Sequence, residues 1–192
     1  MKRRRALKGM ISIVGGIGLT FFGYKLFNIY STPSINKLSA TSNKAIISEL
    51  AAMVIPHTDV PGANEANICD TIIQLISNCA DVQSINKFID GLEELEQRTY
   101  DLYGTSFVKC TGEEKEKIMN YFESDSNSQN DLLNKVQIRL FGKPFFSTLK
   151  EYVSYAYCTS LVGAKDGLRY NYIPGKYEGC IAVNNPRSWA TH

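Results

Sequence analysis

The chain has 192 residues, 44% hydrophobic, 11% aromatic and 21% charged, which is enough length and apolar content for one cored domain and too apolar for a disordered chain. Its formal charge of +2 is unevenly placed: residues 1 to 40 hold seven basic residues and no acidic one, and without those seven, 14 basic residues face 19 acidic ones, a net of −5. The body is mildly acidic, so it lacks the basic footprint that nucleic-acid binding needs.

The N-terminal stretch MKRRRALKGMISIVGGIGLTFFGY sets a basic cluster before an apolar, Gly-rich run from Gly9 to Tyr24, closed by Lys25. That run is 16 residues long, short of the about 20 that span a bilayer as a helix. Gly9, Gly15, Gly16 and Gly18 lower its helix propensity. This is the layout of an export signal. Arg3-Arg4-Arg5-Ala6-Leu7-Lys8 resembles the twin-arginine signal through Arg3, Arg4, Leu7 and Lys8, with Ala6 where Phe is usual. That resemblance implies export of an already folded protein to the periplasm, with residues 9–27 as an inner-membrane anchor if the segment stays attached. Leu38-Ser39-Ala40 is a weak cleavage candidate. An ordinary secretory signal, or an uncleaved anchor with its basic residues on the cytoplasmic side, is the alternative.

Residues 31 to 41, STPSINKLSAT, are polar and turn-rich and read as a linker. SNKAIISELAAMVI then places Ile46, Leu50, Met53 and Val54 on one helical face, and Pro56 ends it. VIPHTDVPGA follows, with Pro56, His57, Thr58 and Asp59 before a second stop at Pro61-Gly62. EANICDTIIQLISNCA resumes the helical pattern through Ile68, Ile72, Leu75, Ile76 and Cys79. SINKFIDGLEELEQRTYDLYG shows it most clearly: Phe88, Leu92, Leu95, Thr99 and Leu102 form one face, while Asp90, Glu93, Glu94 and Arg98 take the other, Glu94 and Arg98 at i,i+4 spacing. Gly104 is a C-terminal stop.

Thr111-Gly112-Glu113-Glu114 announces a fourth helix through a capping box, with Ile118, Met119 and Phe122 as its apolar side. SDSNSQND, residues 124 to 131, reads as a polar loop. The last long helix covers KPFFSTLKEYVSYAYCTSL, with Phe145, Leu149, Tyr152 and Ala156 on one stripe and Phe146, Val153 and Tyr157 beside it. At that spacing the aromatics read as core rather than as a cofactor box. The tail from Gly167 has no helical period; it carries Tyr170, Tyr172, Tyr177 and Trp189, and its Pro174-Gly175 pair fits a type II turn. Such rings suit an interface core, or packing back onto the helices. The expected fold is therefore all-α: a compact bundle of about five helices with an irregular aromatic C-terminal tail. The domain plan is 1–30 signal or anchor, 31–41 linker and 42–192 helical body.

Catalytic signatures are sparse. The chain has no P-loop, no G-x-S-x-G elbow, no H-E-x-x-H and no nucleotide fingerprint; the Gly-rich run near Gly15 sits in the export segment. Cys69, Cys79, Cys110, Cys158 and Cys180 form no C-x-x-C, so no zinc ribbon or covalent haem is supported and no metal is expected. An exported domain would permit one or two disulfides, with an odd thiol left over; buried small hydrophobes are the equal alternative. His57 with Asp59 could act as an acid–base pair in an independent enzyme, but nothing else in the chain assembles around them. The stretch reads instead as a structural corner in which Thr58 or Asp59 satisfies loose backbone amides.

The order of these pieces resembles the gluconate 2-dehydrogenase subunit 3 family, the small subunit of membrane-associated, flavin-dependent sugar and polyol dehydrogenases. The resemblance rests on Ile55-Pro56-His57-Thr58-Asp59-Val60-Pro61-Gly62-Ala63, on Phe145-Phe146 through Lys150-Glu151, on Tyr157-Cys158-Thr159-Ser160 and Gly163, and on Leu168-Arg169-Tyr170 with Ile173-Pro174-Gly175-Lys176-Tyr177-Glu178-Gly179-Cys180. Val60 stands where Thr is more usual and Cys158 where an aromatic is. The resemblance implies a non-catalytic chain without catalytic, cofactor-binding or metal-binding residues. Its expected partners are a large FAD-containing subunit of the glucose-methanol-choline type, the twin-arginine translocase, and in some complexes a cytochrome c subunit carrying haem c. Pro56, Thr58, Asp59, Pro61 and Gly62, and in the tail Tyr170, Pro174, Gly175, Tyr177, Gly179 and Cys180, are the expected partner surfaces. A membrane-anchored scaffold with an unrelated partner is the alternative.

Overall fold

The computed structural model of the chain describes residues 23, 31–33, 35–126, 135, 138–168 and 180. Among these, no residue lies in a strand. The helices are α1 (Ile35–Leu38), α2 (Thr41–Val54), α3 (Cys69–Cys79), α4 (Val82–Tyr103), α5 (Gly112–Ser126) and α6 (Phe145–Thr159). A 3-10 turn, Phe107–Lys109, joins α4 to α5, and a π-helical turn, Gly163–Gly167, follows α6. The five longer helices, α2 to α6, make up the expected bundle.

Local chemistry sets the helix ends. Asp81 caps α4 by accepting the Ser84 amide at 2.8 Å, and Gly104 closes it in the left-handed region at φ 67°. The Glu114 carboxylate accepts the Thr111 amide at 2.8 Å, the returning half of the expected capping box. The Ile55 amide donates to Ala51 as the last bond of α2; Pro56 has no amide to continue the series.

α6 is the hub. It packs against α2, α3, α4 and α5 and against the π-helical turn. The core holds Leu50, Ile72, Ile76, Phe88, Leu92, Leu95, Phe107, Ile118, Leu149 and Val153, all fully buried. At the start of α6 the Phe145 ring meets Phe88 at 5.0 Å and Phe122 at 5.4 Å between centroids. Phe145 reaches α4 because Gly91 stands there: a Cβ at that position would lie 2.5 Å from the ring. The Ser84 hydroxyl donates to Asp81 at 2.9 Å and accepts the Lys143 amide at 2.9 Å, so one α4 cap also fixes the entry into α6.

Several expectations shift. The segment read as a linker contains α1, whose Leu38 is fully buried, and the Asn86 side chain donates to the Ser31 carbonyl at 2.8 Å. Leu102 is 58% exposed rather than part of the buried face of α4; in that last turn it is Tyr103, four positions on from the buried Thr99, that packs against the core. The Glu94–Arg98 pair does not form, because the Arg98 guanidinium lies 3.4 Å over the Tyr121 ring of α5. α3 begins at Cys69, later than the pattern from Glu65 suggests, because residues 63–67 form a turn with Asn67 at φ 48°. α5 runs into the start of the expected 124–131 loop, and the rest of that loop lies outside the described residues.

Candidate functional site

The chain between α2 and α3 makes a braced corner. Ala63 donates its amide to the Ile55 carbonyl at 3.0 Å, which pins the two sides of the bend together. Inside that bend Gly62 is buried, and a Cβ there would meet the backbone of His57, Pro56 and Ile55 at 2.7 to 2.9 Å. Only glycine fits so close an approach. Across the tip, Thr58 donates its amide to the Val60 carbonyl at 3.1 Å and its hydroxyl to Asp59 Oδ1 at 3.1 Å. Pro56, His57, Thr58 and Asp59 are exposed, Pro61 is half-buried and Ala63 is in the core.

Glu65 was not foreseen as part of this unit. One carboxylate oxygen accepts the Gly62 amide at 2.9 Å and the other lies 3.1 Å from His57 Nδ1. Its own backbone amide, most of all, holds its carboxyl below the usual range; burial opposes this, and the Gly62 amide and His57 add to the lowering. His57 thus meets Glu65, while Asp59 meets Thr58. The imidazole is 67% exposed, so the pair stands open to solvent on the outer side of the corner.

A second piece of the chain closes on the corner from below. Tyr157 on α6 donates its hydroxyl to the Pro61 carbonyl, a short bond across 96 positions of sequence. The same residue carries the turn after α6. The Ser160 hydroxyl donates to the Tyr157 carbonyl at 2.7 Å and accepts the Gly163 amide at 2.9 Å. A Cβ at Gly163 would stand 2.0 Å from the Tyr157 carbonyl oxygen, and one at Gly167 would stand 2.5 Å from its hydroxyl. Two sequence blocks that lie about a hundred residues apart therefore meet at one end of the bundle, around one buried tyrosine. The sequence signal was there in part, since Tyr157, Ser160 and Gly163 belong to the quoted blocks, but periodicity assigned Tyr157 to the core alone.

The remaining expected positions are distributed differently. Arg3, Arg4, Leu7 and Lys8, and in the tail Tyr170, Pro174, Gly175, Tyr177 and Gly179, lie outside the described residues. Cys180 is described and exposed. All five cysteines are free thiols; Cys110 is buried and Cys69 partly so, and burial raises both thiols above the ordinary range. Among the described residues, no three His, Cys, Asp or Glu side chains group to hold a metal, and no helix is long and apolar enough to cross a membrane. Of the 9–27 segment, only Gly23 is described.

A family model described as gluconate 2-dehydrogenase subunit 3 matches residues 41–175, from the start of α2 into the tail. No curated protein and no solved structure matches the chain.

Proposed function

Because the chain belongs to the gluconate 2-dehydrogenase subunit 3 family, we propose that it is the non-catalytic small subunit of an exported, FAD-dependent sugar or polyol dehydrogenase. In this reading it binds a large flavoprotein of the glucose-methanol-choline type and escorts it, folded, through the twin-arginine translocase. FAD resides in that partner, and a cytochrome c subunit, where the complex has one, takes the electrons onward. The complex works in the periplasm, with residues 9–27 as its tether to the inner membrane if the signal is retained.

The observation that carries the reading is the family match, whose span takes in both the braced corner and the turn that Tyr157 supports. The Arg3-Arg4 pair supports the export route. The decisive experiment replaces Arg3 and Arg4 by lysine in cells that make the whole complex. Flavin-dependent dehydrogenase activity is then expected to stay in the cytoplasm, bound to this chain. Normal export of the flavoprotein in that variant would sink the escort role. Purification of the wild-type chain without any flavoprotein would sink the subunit assignment itself.

A further inference from the structure

We propose that Tyr157 is the positioning residue of the partner-binding end: it locks the 56–60 corner and the 163–167 turn into one rigid surface that the flavoprotein subunit reads. The inference rests on the assignment of the chain as a subunit of that complex.

Tyr157 is 5% exposed, so a phenylalanine would fill almost the same space. What phenylalanine lacks is the hydroxyl, and the hydroxyl is spent on the Pro61 carbonyl. The corner is poor in internal donors, because Pro56 and Pro61 have no amide hydrogen. Its bracing comes from the Ala63–Ile55 bond, the Glu65 carboxylate and Tyr157. Of these, Tyr157 alone ties the corner to a different part of the chain. On the other side of the ring, Gly163 and Gly167 give up side chains so that the turn can close on it. The outward residues His57, Thr58 and Asp59 take no part in the core, so the structural reason for so firm a base lies in holding them still. A surface fixed before binding loses less conformational entropy when a partner docks.

The test uses the full chain with its co-expressed flavoprotein subunit. Tyr157→Phe is compared with wild type and with Thr99→Val, which removes a buried hydroxyl bond of 2.6 Å to Leu95 in α4, away from the corner. In Tyr157→Phe, hydrogen exchange at the amides of residues 58 to 66 is expected to quicken about two- to tenfold, the loss of one hydrogen bond. Affinity for the flavoprotein is expected to fall by a similar factor. Thr99→Val is expected to lower Tm without either effect. Unchanged corner exchange in Tyr157→Phe overturns the coupling. Unchanged affinity despite faster exchange overturns the binding role, and so does an equal loss of affinity in Thr99→Val. If the wild-type chain itself fails to hold the flavoprotein, the subunit assignment falls, and exchange still decides whether Tyr157 locks the corner.

Discussion

The two ends of α6 are built from different chemistry. At its start, Phe145 sits among Phe88, Phe122 and Gly91, and the contacts are ring on ring. At its finish, Tyr157 sits among Pro61, Ser160, Gly163 and Gly167, and the contacts are hydroxyl to carbonyl and backbone to ring. The first end gains from area removed from water and tolerates adjustment. The second end depends on a few directional bonds and on glycines placed where nothing larger fits. An apolar end makes the domain stable; a polar, glycine-lined end gives a loop one shape.

That contrast can be broken by substitution. Phe145→Ala opens a cavity in the aromatic cluster and is expected to cost about 3–5 kcal/mol, seen as a lower denaturant midpoint. The molecules still folded should bind the proposed flavoprotein partner normally; corner exchange raised as far as in Tyr157→Phe would show that the two ends are not separable. Gly62→Ala drives a Cβ into the backbone of residues 55–57 and is expected to cost about 1–3 kcal/mol. Unlike Phe145→Ala, it should also weaken the complex, as titration with the flavoprotein would show. Asp81→Ala removes the α4 cap beside the α6 entry and is expected to cost about 1 kcal/mol in thermal or chemical unfolding, with assembly unchanged.

The two smallest effects belong to the corner. Asp59→Ala alters an exposed residue, so stability should change by less than about 0.5 kcal/mol while assembly with the flavoprotein weakens. A complex that assembles normally but loses turnover would contradict the structural role of the corner. Glu65 supplies a pH dependence. Its carboxyl is held below the ordinary value of 4.5 in the folded chain, so its bracing is fully present above that pH and is lost as acid protonates it. Protection of the residue 62 amide, relative to its intrinsic exchange at the same pH, should therefore fall as acid protonates the carboxyl below its ordinary range, and Glu65→Gln should flatten the dependence.

Much of the first end was legible in the sequence. The spacing of Phe88, Leu92 and Leu95, and of Phe145, Leu149 and Ala156, marks buried faces because a helix repeats every 3.6 residues. Pro56 and Gly104 mark ends for reasons local to each residue. Leu102 misled because steps of three and of four both fit a helical face, and from Thr99 the core is met by the step of four, at Tyr103. The second end was legible only in part. Pro61-Gly62 announced a bend, but a hydroxyl reaching a carbonyl 96 positions away leaves no periodic trace. Nor does the sequence alone distinguish Glu65, serving amides of the corner, from the first residue of a helix.

The placement of α6 has a consequence for the birth of the protein. α2, α3, α4 and α5 each lean on a helix that the ribosome makes after them. At about 5–20 residues per second, α6 trails the end of α4 by seconds, and through that interval the side of Phe88 that meets Phe145 lacks its cover. The bundle therefore closes only after α6 has been made. That interval gives a factor that binds the open helices time to act before the bundle closes.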